Sequence, residues 1–161
     1  MSGTSLDEQG LGSAGGRDDA AGRGREPLAR RLPRRLAVLS FAADRDHLAL
    51  ARMTAMHVAG LAGLPIGRVT DIRLAVDEAC SLFLGEAERT PGALLTVRFE
   101  QVAEFLRIAV SGPAPARDPD AEDIGWLMLC ALTVRPRWEV RGGTGTLTMN
   151  EPLSPGAGAG R

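Results

Sequence analysis

The amino-acid sequence predicts an α+β domain, a two-layer sandwich with helices packed on one face of a mostly antiparallel sheet. Three observations predict it. From Thr70 to Ala87, apolar residues recur at Ile72, Ala75, Val76, Ala79, Cys80, Phe83 and Leu84, the spacing of a helix with one continuous apolar stripe. The runs ALLTVRFE and FLRIAV, separated by a short polar connection around Gln101 to Glu104, read as an antiparallel hairpin. Leu95, Val97 and Phe99 share one face there, opposite Thr96, Arg98 and Glu100. RWEVRG and TGTLTMN form a second hairpin around Gly142-Gly143. The order is strand, helix, helix, hairpin, loop, helix, hairpin, which suits helices segregated to one side of a sheet.

Residues 1–33 read as a disordered tail, because GLGSAGGRDDAAGRGRE mixes glycine, alanine and both charges without periodicity and has little to bury against its ordering cost. The domain runs over residues 34–153, and 154–161 make a second tail. RLAVLSFA, Arg35 to Ala42, has the content of a first strand. Asp44 offers an N-cap for a helix through HLALARMTAMHVAGLAG that ends near Gly63, with Pro65 just beyond. That helix is apolar nearly all round. Either it lies deep between layers or a partner covers its outer face. The stripe-bearing helix stops near Glu88, before the turn at Pro91-Gly92. After the first hairpin, the prolines and glycine of SGPAPARDPDAED break any ladder and read as a loop or lid, and IGWLMLCALT reads as a short helix.

Composition narrows the function classes. The 161 residues are 44% hydrophobic, enough for one packed core, and the net charge of −1 makes no overall case for nucleic acid or membrane. With no signal-like segment and no membrane-spanning apolar run, the sequence predicts a soluble, cytoplasmic protein. Cys80 and Cys130 both fall in apolar helical patterns and read as buried thiols in a reduced compartment, since no nearby histidine or second cysteine pair supplies metal ligands. His57 reads as a surface or satisfied core histidine. The arginines Arg117, Arg135, Arg137 and Arg141 read as a solvated edge.

Asp77 and Glu78 stand in the middle of the stripe-bearing helix, where neither a cap nor the helix dipole explains them. One account makes them a solvated edge, with Asp77 four residues from Arg73. Another is a resemblance. RLAVDEAC, following a helix that contains ARMTA and preceding a hairpin that ends in IAV, resembles the RsbW/SpoIIAB-type anti-sigma factors of the GHKL class of ATP-binding domains, over roughly Arg35 to Leu153. The chain looks closest to diverged actinobacterial members. The resemblance implies a dimeric serine kinase that binds and inactivates an alternative sigma factor. It further implies release by a dephosphorylated anti-anti-sigma protein of the STAS fold.

Departures from the family pattern are chemically specific. Glu78 matches the glutamate that the resemblance assigns as general base, but the magnesium-ligating asparagine four residues on is Leu82, which has no oxygen for a hard cation. The aspartate and two glycines that would meet adenine correspond to Gly112, Ala114 and Ala116, with Pro113 and Pro115 between them. A glycine pair opening the short helix survives by half as Gly125, with Asp123 in the other place, where a carboxylate repels phosphate. Gly142-Gly143-Thr144 resembles the last glycine-threonine box, and a tight hairpin turn explains it equally well.

The expectation is therefore an anti-sigma factor that has kept its scaffold and partner surface and lost efficient kinase chemistry. ATP and magnesium are not expected as working cofactors, and Gly125, Gly143 and Thr144 would be the remnants of their site. Arg52 within ARMTA matches the arginine that the resemblance sets against acidic groups of the sigma factor and the STAS protein in turn. An arginine snorkelling from an apolar helix is the alternative. A homodimer through the sheet edge and first helix goes with this reading. The competing reading is an active serine/threonine kinase using Glu78 with a rearranged metal site. A third is a nucleotide site reused for another ligand.

Overall fold

A computed structural model describes residues 32–153. The expected tails lie outside the described residues, Leu32 and Pro33 excepted. Five strands, β1 (Arg34–Ala42), β2 (Leu94–Val102), β3 (Phe105–Pro113), β4 (Val134–Arg141) and β5 (Thr144–Pro152), form one sheet in the order β1-β2-β3-β5-β4, every pair antiparallel. Three helices, α1 (Leu48–Leu61), α2 (Ile66–Ala87) and α3 (Ile124–Leu132), complete the α+β sandwich.

Alternation decides which side of the sheet is covered. Leu95, Val97 and Phe99 of β2, Leu106, Ile108 and Val110 of β3, and Leu147 and Met149 of β5 are fully buried. Their neighbours Thr96, Arg98, Arg107, Ala109 and Thr148 line the other, open face, where Ser40 and Thr96 share a hydroxyl hydrogen bond of 2.8 Å. From α2, Ile72, Ala75, Val76, Ala79, Cys80, Phe83 and Leu84 close the core, which is the stripe read from the sequence. Burial pushes the Cys80 thiol up to about 12, with the nearby Asp77 charge adding to the effect.

One charge enters this layer. Glu151 is only 3% exposed, and Arg68 from the first turn of α2 meets it with two nitrogens, Nε at 2.7 Å from Oε1 and Nη2 on Oε2. The same guanidinium donates to Asp71 at 2.7 Å and to the Leu132 carbonyl at 3.0 Å, so one side chain ties α2 to β5 and to the end of α3. The Glu151 hydrogen bond raises Arg68 above its ordinary value.

Several expectations shift. Ser111, Gly112 and Pro113 continue β3 instead of opening the loop. The β2 ladder ends at Thr96–Ser111, and Ala114 donates to the Gly143 carbonyl, so the donor that Pro113 lacks would face a side without a partner strand. The first hairpin turns on Ala103 and Glu104 alone, with Ala103 at φ +51°; Gln101 and Val102 belong to β2. α2 begins at Ile66, four residues earlier than Thr70, directly after Pro65. Asp44 caps a 3-10 turn over Arg45–His47 that leads into α1, and its bond to His47 lowers its carboxyl below the ordinary value. β4 starts at Val134, with an irregularity before Arg137.

Cys130 is exposed, contrary to expectation, because Leu129 is the one residue that α3 buries and the next residue turns outward by about 100°. α1 does not lie between layers. It buries Leu48, Ala51, Ala55, Val58 and Ala59 and leaves Leu50, Met53 (66% exposed) and Leu61 (74%) on an outer face. Arg117, Arg135, Arg137 and Arg141 are all exposed, as a solvated edge would be.

Candidate functional site

Glu78 and Leu82 lie one turn apart on α2 and face the start of α3. A methyl group placed on Gly125 would sit 3.5 Å from Glu78 Oε2, 3.5 Å from Leu82 Cδ2 and 3.2 Å from Asp123 Oδ1. Four residues read separately from the sequence thus meet at one point. Asp123 is the N-cap of α3. Its Oδ1 accepts from the Gly125 amide at 2.8 Å and from the Trp126 amide at 3.3 Å. These amides are the donors that a helix start offers to an anion, and the chain's own carboxylate already takes them.

Beside this point the sheet has a bare floor. Gly112 of β3 and Gly145 of β5 are register partners, and both turn toward the helices. A methyl on Gly112 would lie 2.6 Å from Leu95 Cδ2 and 3.3 Å from Phe83 Cδ1. One on Gly145 would lie 2.5 Å from Trp138 Cη2 and 3.0 Å from Phe83 Cε1. The Phe83 and Trp138 rings, with centroids 5.3 Å apart and planes tilted by 39°, cover the floor. Trp138 Nε1 donates to Asp118 Oδ1 at 2.8 Å and so holds the loop between β3 and α3 to the edge strand.

Gly143 and Thr144 stand elsewhere. Gly142 at φ +55° and Gly143 at φ +78° make the two-residue turn between β4 and β5, a conformation glycine adopts without strain. Since Gly145 faces the helices, Thr144 faces away. It lines a shallow hollow on the open side with Thr90, Thr96, Ser111 and Pro113. Thr144 therefore does not join Glu78 and Gly125.

Arg52 lies across the helix pair, with Nη1 3.1 Å from Asp77 Oδ1. That contact replaces the Asp77–Arg73 pair as the partner of Asp77. One turn beyond Arg52 on α1 is Met56, which with Met53, Gly60, Leu64, Ile66 and Val69 lines an apolar hollow between the two helices. The exposed His57 lies on its rim.

Sequence reasoning missed Trp138, Asp118 and the pairing role of Asp77. The available signal was the two glycines inside alternating strands, which leave room that a large ring must fill. A magnesium-bound nucleotide does not fit the residues present. Leu82 offers no oxygen beside Glu78, Asp123 takes the helix-start donors, and two aromatic rings cover the glycine floor. No groups of His, Cys, Asp or Glu suited to a metal ion occur among the described residues. None of the described helices is long and apolar enough to cross a membrane.

No curated protein is similar enough to this chain to count as a match. The family model of the histidine kinase-like ATPase domain matches residues 41–145, from the last residues of β1 to the first of β5, and by that match the chain belongs to the histidine kinase-like ATPase family.

Proposed function

We propose that this protein is an anti-sigma factor, which sequesters an alternative sigma factor of stress or development and releases it to a STAS-type anti-anti-sigma partner without working nucleotide chemistry. The Asp123 carboxylate on the Gly125 and Trp126 amides is the observation that carries the reading. A helix start capped by its own chain repels a phosphate, and Leu82 beside Glu78 deprives a cation of a ligand. What the family fold still presents is surface. The outer side of α1 is open and apolar, and Asp77 accepts from only one nitrogen of the Arg52 fork. The remaining donors suit a carboxylate on either partner, and use of one arginine by both makes their binding mutually exclusive. A cytoplasmic homodimer through the sheet edge and α1 belongs to this reading.

The kinase reading has one observation in its favour. Glu78 is half-buried and faces the α3 start, where a general base would stand. The test is titration of the full-length chain with alternative sigma factors, alongside a labelled-phosphate transfer assay on STAS proteins. Sequestration predicts saturable sigma binding that is insensitive to magnesium-ATP and to Glu78→Gln. Phosphate transfer that Glu78→Gln abolishes would establish the kinase instead, and the absence of any sigma binding would sink the first reading.

A further inference from the structure

We propose that the open face of the sheet is a docking surface for duplex DNA, held by its phosphates and not read base by base. This inference stands apart from the sequestration reading.

Strand register places the charges. Residues paired across neighbouring strands share a face, so the row Val38, Arg98, Ala109, Thr148 and Arg137 runs from β1 to β4 on the side away from the helices. The next row on that side holds Arg35, Glu100, Arg107 and Asn150. With Glu139 and Arg141 of β4, the paired positions of this face carry five arginines against two glutamates. The whole chain has a net charge of −1, so the excess is a local segregation that composition hides. Glu139 is already taken by Arg141 at 3.1 Å. Among the described residues, no ion pair engages Arg35, Arg98, Arg107 or Arg137, and all but the half-buried Arg107 are exposed.

Relief and chemistry favour a duplex over other partners. Between Arg98 and Arg137 lie only Ala109 and Thr148. Strands about 4.8 Å apart put the two arginine backbones about 14 Å from each other, which leaves a low floor flanked by long cations. Thr96, Ser111 and Thr146 of the adjoining row add hydroxyl donors, and hydroxyls and guanidinium groups are what meet phosphate oxygens. A protein partner would call for large apolar groups at the centre. Here the exposed Val38, Leu94, Phe105 and Val134 stand on the edge strand β1 or at strand starts. Single-stranded nucleic acid would call for rings on which its bases stack. Phe105 is the one aromatic residue among the paired positions of this face, and it lies at its margin. A duplex needs neither, since its phosphates attract cations by charge alone.

The experiment titrates the full-length protein with a fluorescently labelled duplex of mixed sequence and follows anisotropy between about 50 and 200 mM salt. Saturable binding is expected, with the logarithm of affinity falling against the logarithm of salt at a slope of about −3.6, the figure for about four neutralised phosphates. Joint substitution Arg98→Gln and Arg137→Gln is expected to weaken binding and bring the slope to about −1.8. Arg117→Gln, on the loop between β3 and α3, is expected to change neither. Circular dichroism checks the fold, and should the joint variant not fold, Arg98→Gln alone is expected to bring the slope to about −2.7. Absence of saturable binding at the lowest salt overturns the proposal, as does an unchanged slope in the arginine variants or an equal loss in Arg117→Gln. Tighter binding of the corresponding single strand, or equally tight binding of labelled poly-glutamate of matched charge, also overturns it, in favour of a single strand or an acidic protein.

Discussion

The Arg52 guanidinium and the Asp77 carboxylate meet 3.1 Å apart across the packed pair α1 and α2. Both side chains keep about a quarter to a third of their surface in water, so the pair contributes under about 1 kcal/mol to stability. Its larger consequence is orientation. Asp77 fixes one nitrogen of the guanidinium against α2.

Arg52→Ala is therefore expected to leave the unfolding midpoint nearly unchanged and to weaken sigma-factor binding by roughly 1 kcal/mol or more. Asp77→Ala removes that orientation while keeping the charge, and is expected to weaken binding less than Arg52→Ala does. Calorimetric titration of both variants checks this, and unchanged affinity in Arg52→Ala would remove the residue from the account.

Asp123→Ala removes the cap of α3 and is expected to cost about 1 kcal/mol. Asp123→Asn keeps an acceptor in place and is expected to stay near the parent protein in urea melts. Equal losses in the two variants would show that the carboxylate charge, and not the cap hydrogen bond, matters there.

Glu151→Ala takes one of two carboxylate partners from the Arg68 guanidinium, which keeps Asp71 and the Leu132 carbonyl. The Arg68 side chain is 35% exposed and stays paired with Asp71, so the expected loss falls below the roughly 3–5 kcal/mol of leaving a buried charge unpaired, at about 2 kcal/mol. Urea unfolding measures it. A loss like that of an exposed pair would mean that water replaces the carboxylate without difficulty.

The sequence contains neither lysine nor tyrosine, so few groups other than the cysteines titrate on the alkaline side before arginine. The folded Cys80 thiol is raised to about 12 from 9.0, so the folded state holds its proton longer than the unfolded chain does. Stability is accordingly full below pH 9 and is lost as pH rises from 9 toward 12, by up to about 4 kcal/mol. Cys80→Ala should flatten this limb in melts at stepped pH while lowering stability at neutral pH, and Cys130→Ser should not flatten it.

The two layers and most element identities were legible in the residues. A helix period over Ile72 to Leu84 and alternation over Leu95 to Phe99 name the buried face of each element without any partner in view. Local pattern misled where a neighbour supplied the deciding contact. The Ser111–Pro113 segment reads as a strand breaker until β5 pairs with it on one side only. Cys130 reads as buried because the whole of α3 is apolar, yet only Leu129 meets the core. Asp77 has Arg73 on its own helix, but the docking of α1 brings Arg52 closer.

By itself, then, the order of residues determined an amphipathic α+β sandwich, because periodicity and turn chemistry act over a few residues at a time. Only the tertiary structure decided that Asp123 would cap the helix facing Glu78, that Thr144 would turn to the open side, and that Trp138 would lie on Gly145 beside Phe83. Those outcomes depend on strand register and helix docking, which join positions more than fifty residues apart in the case of Phe83 and Trp138. No local pattern in the chain encodes the distance between them.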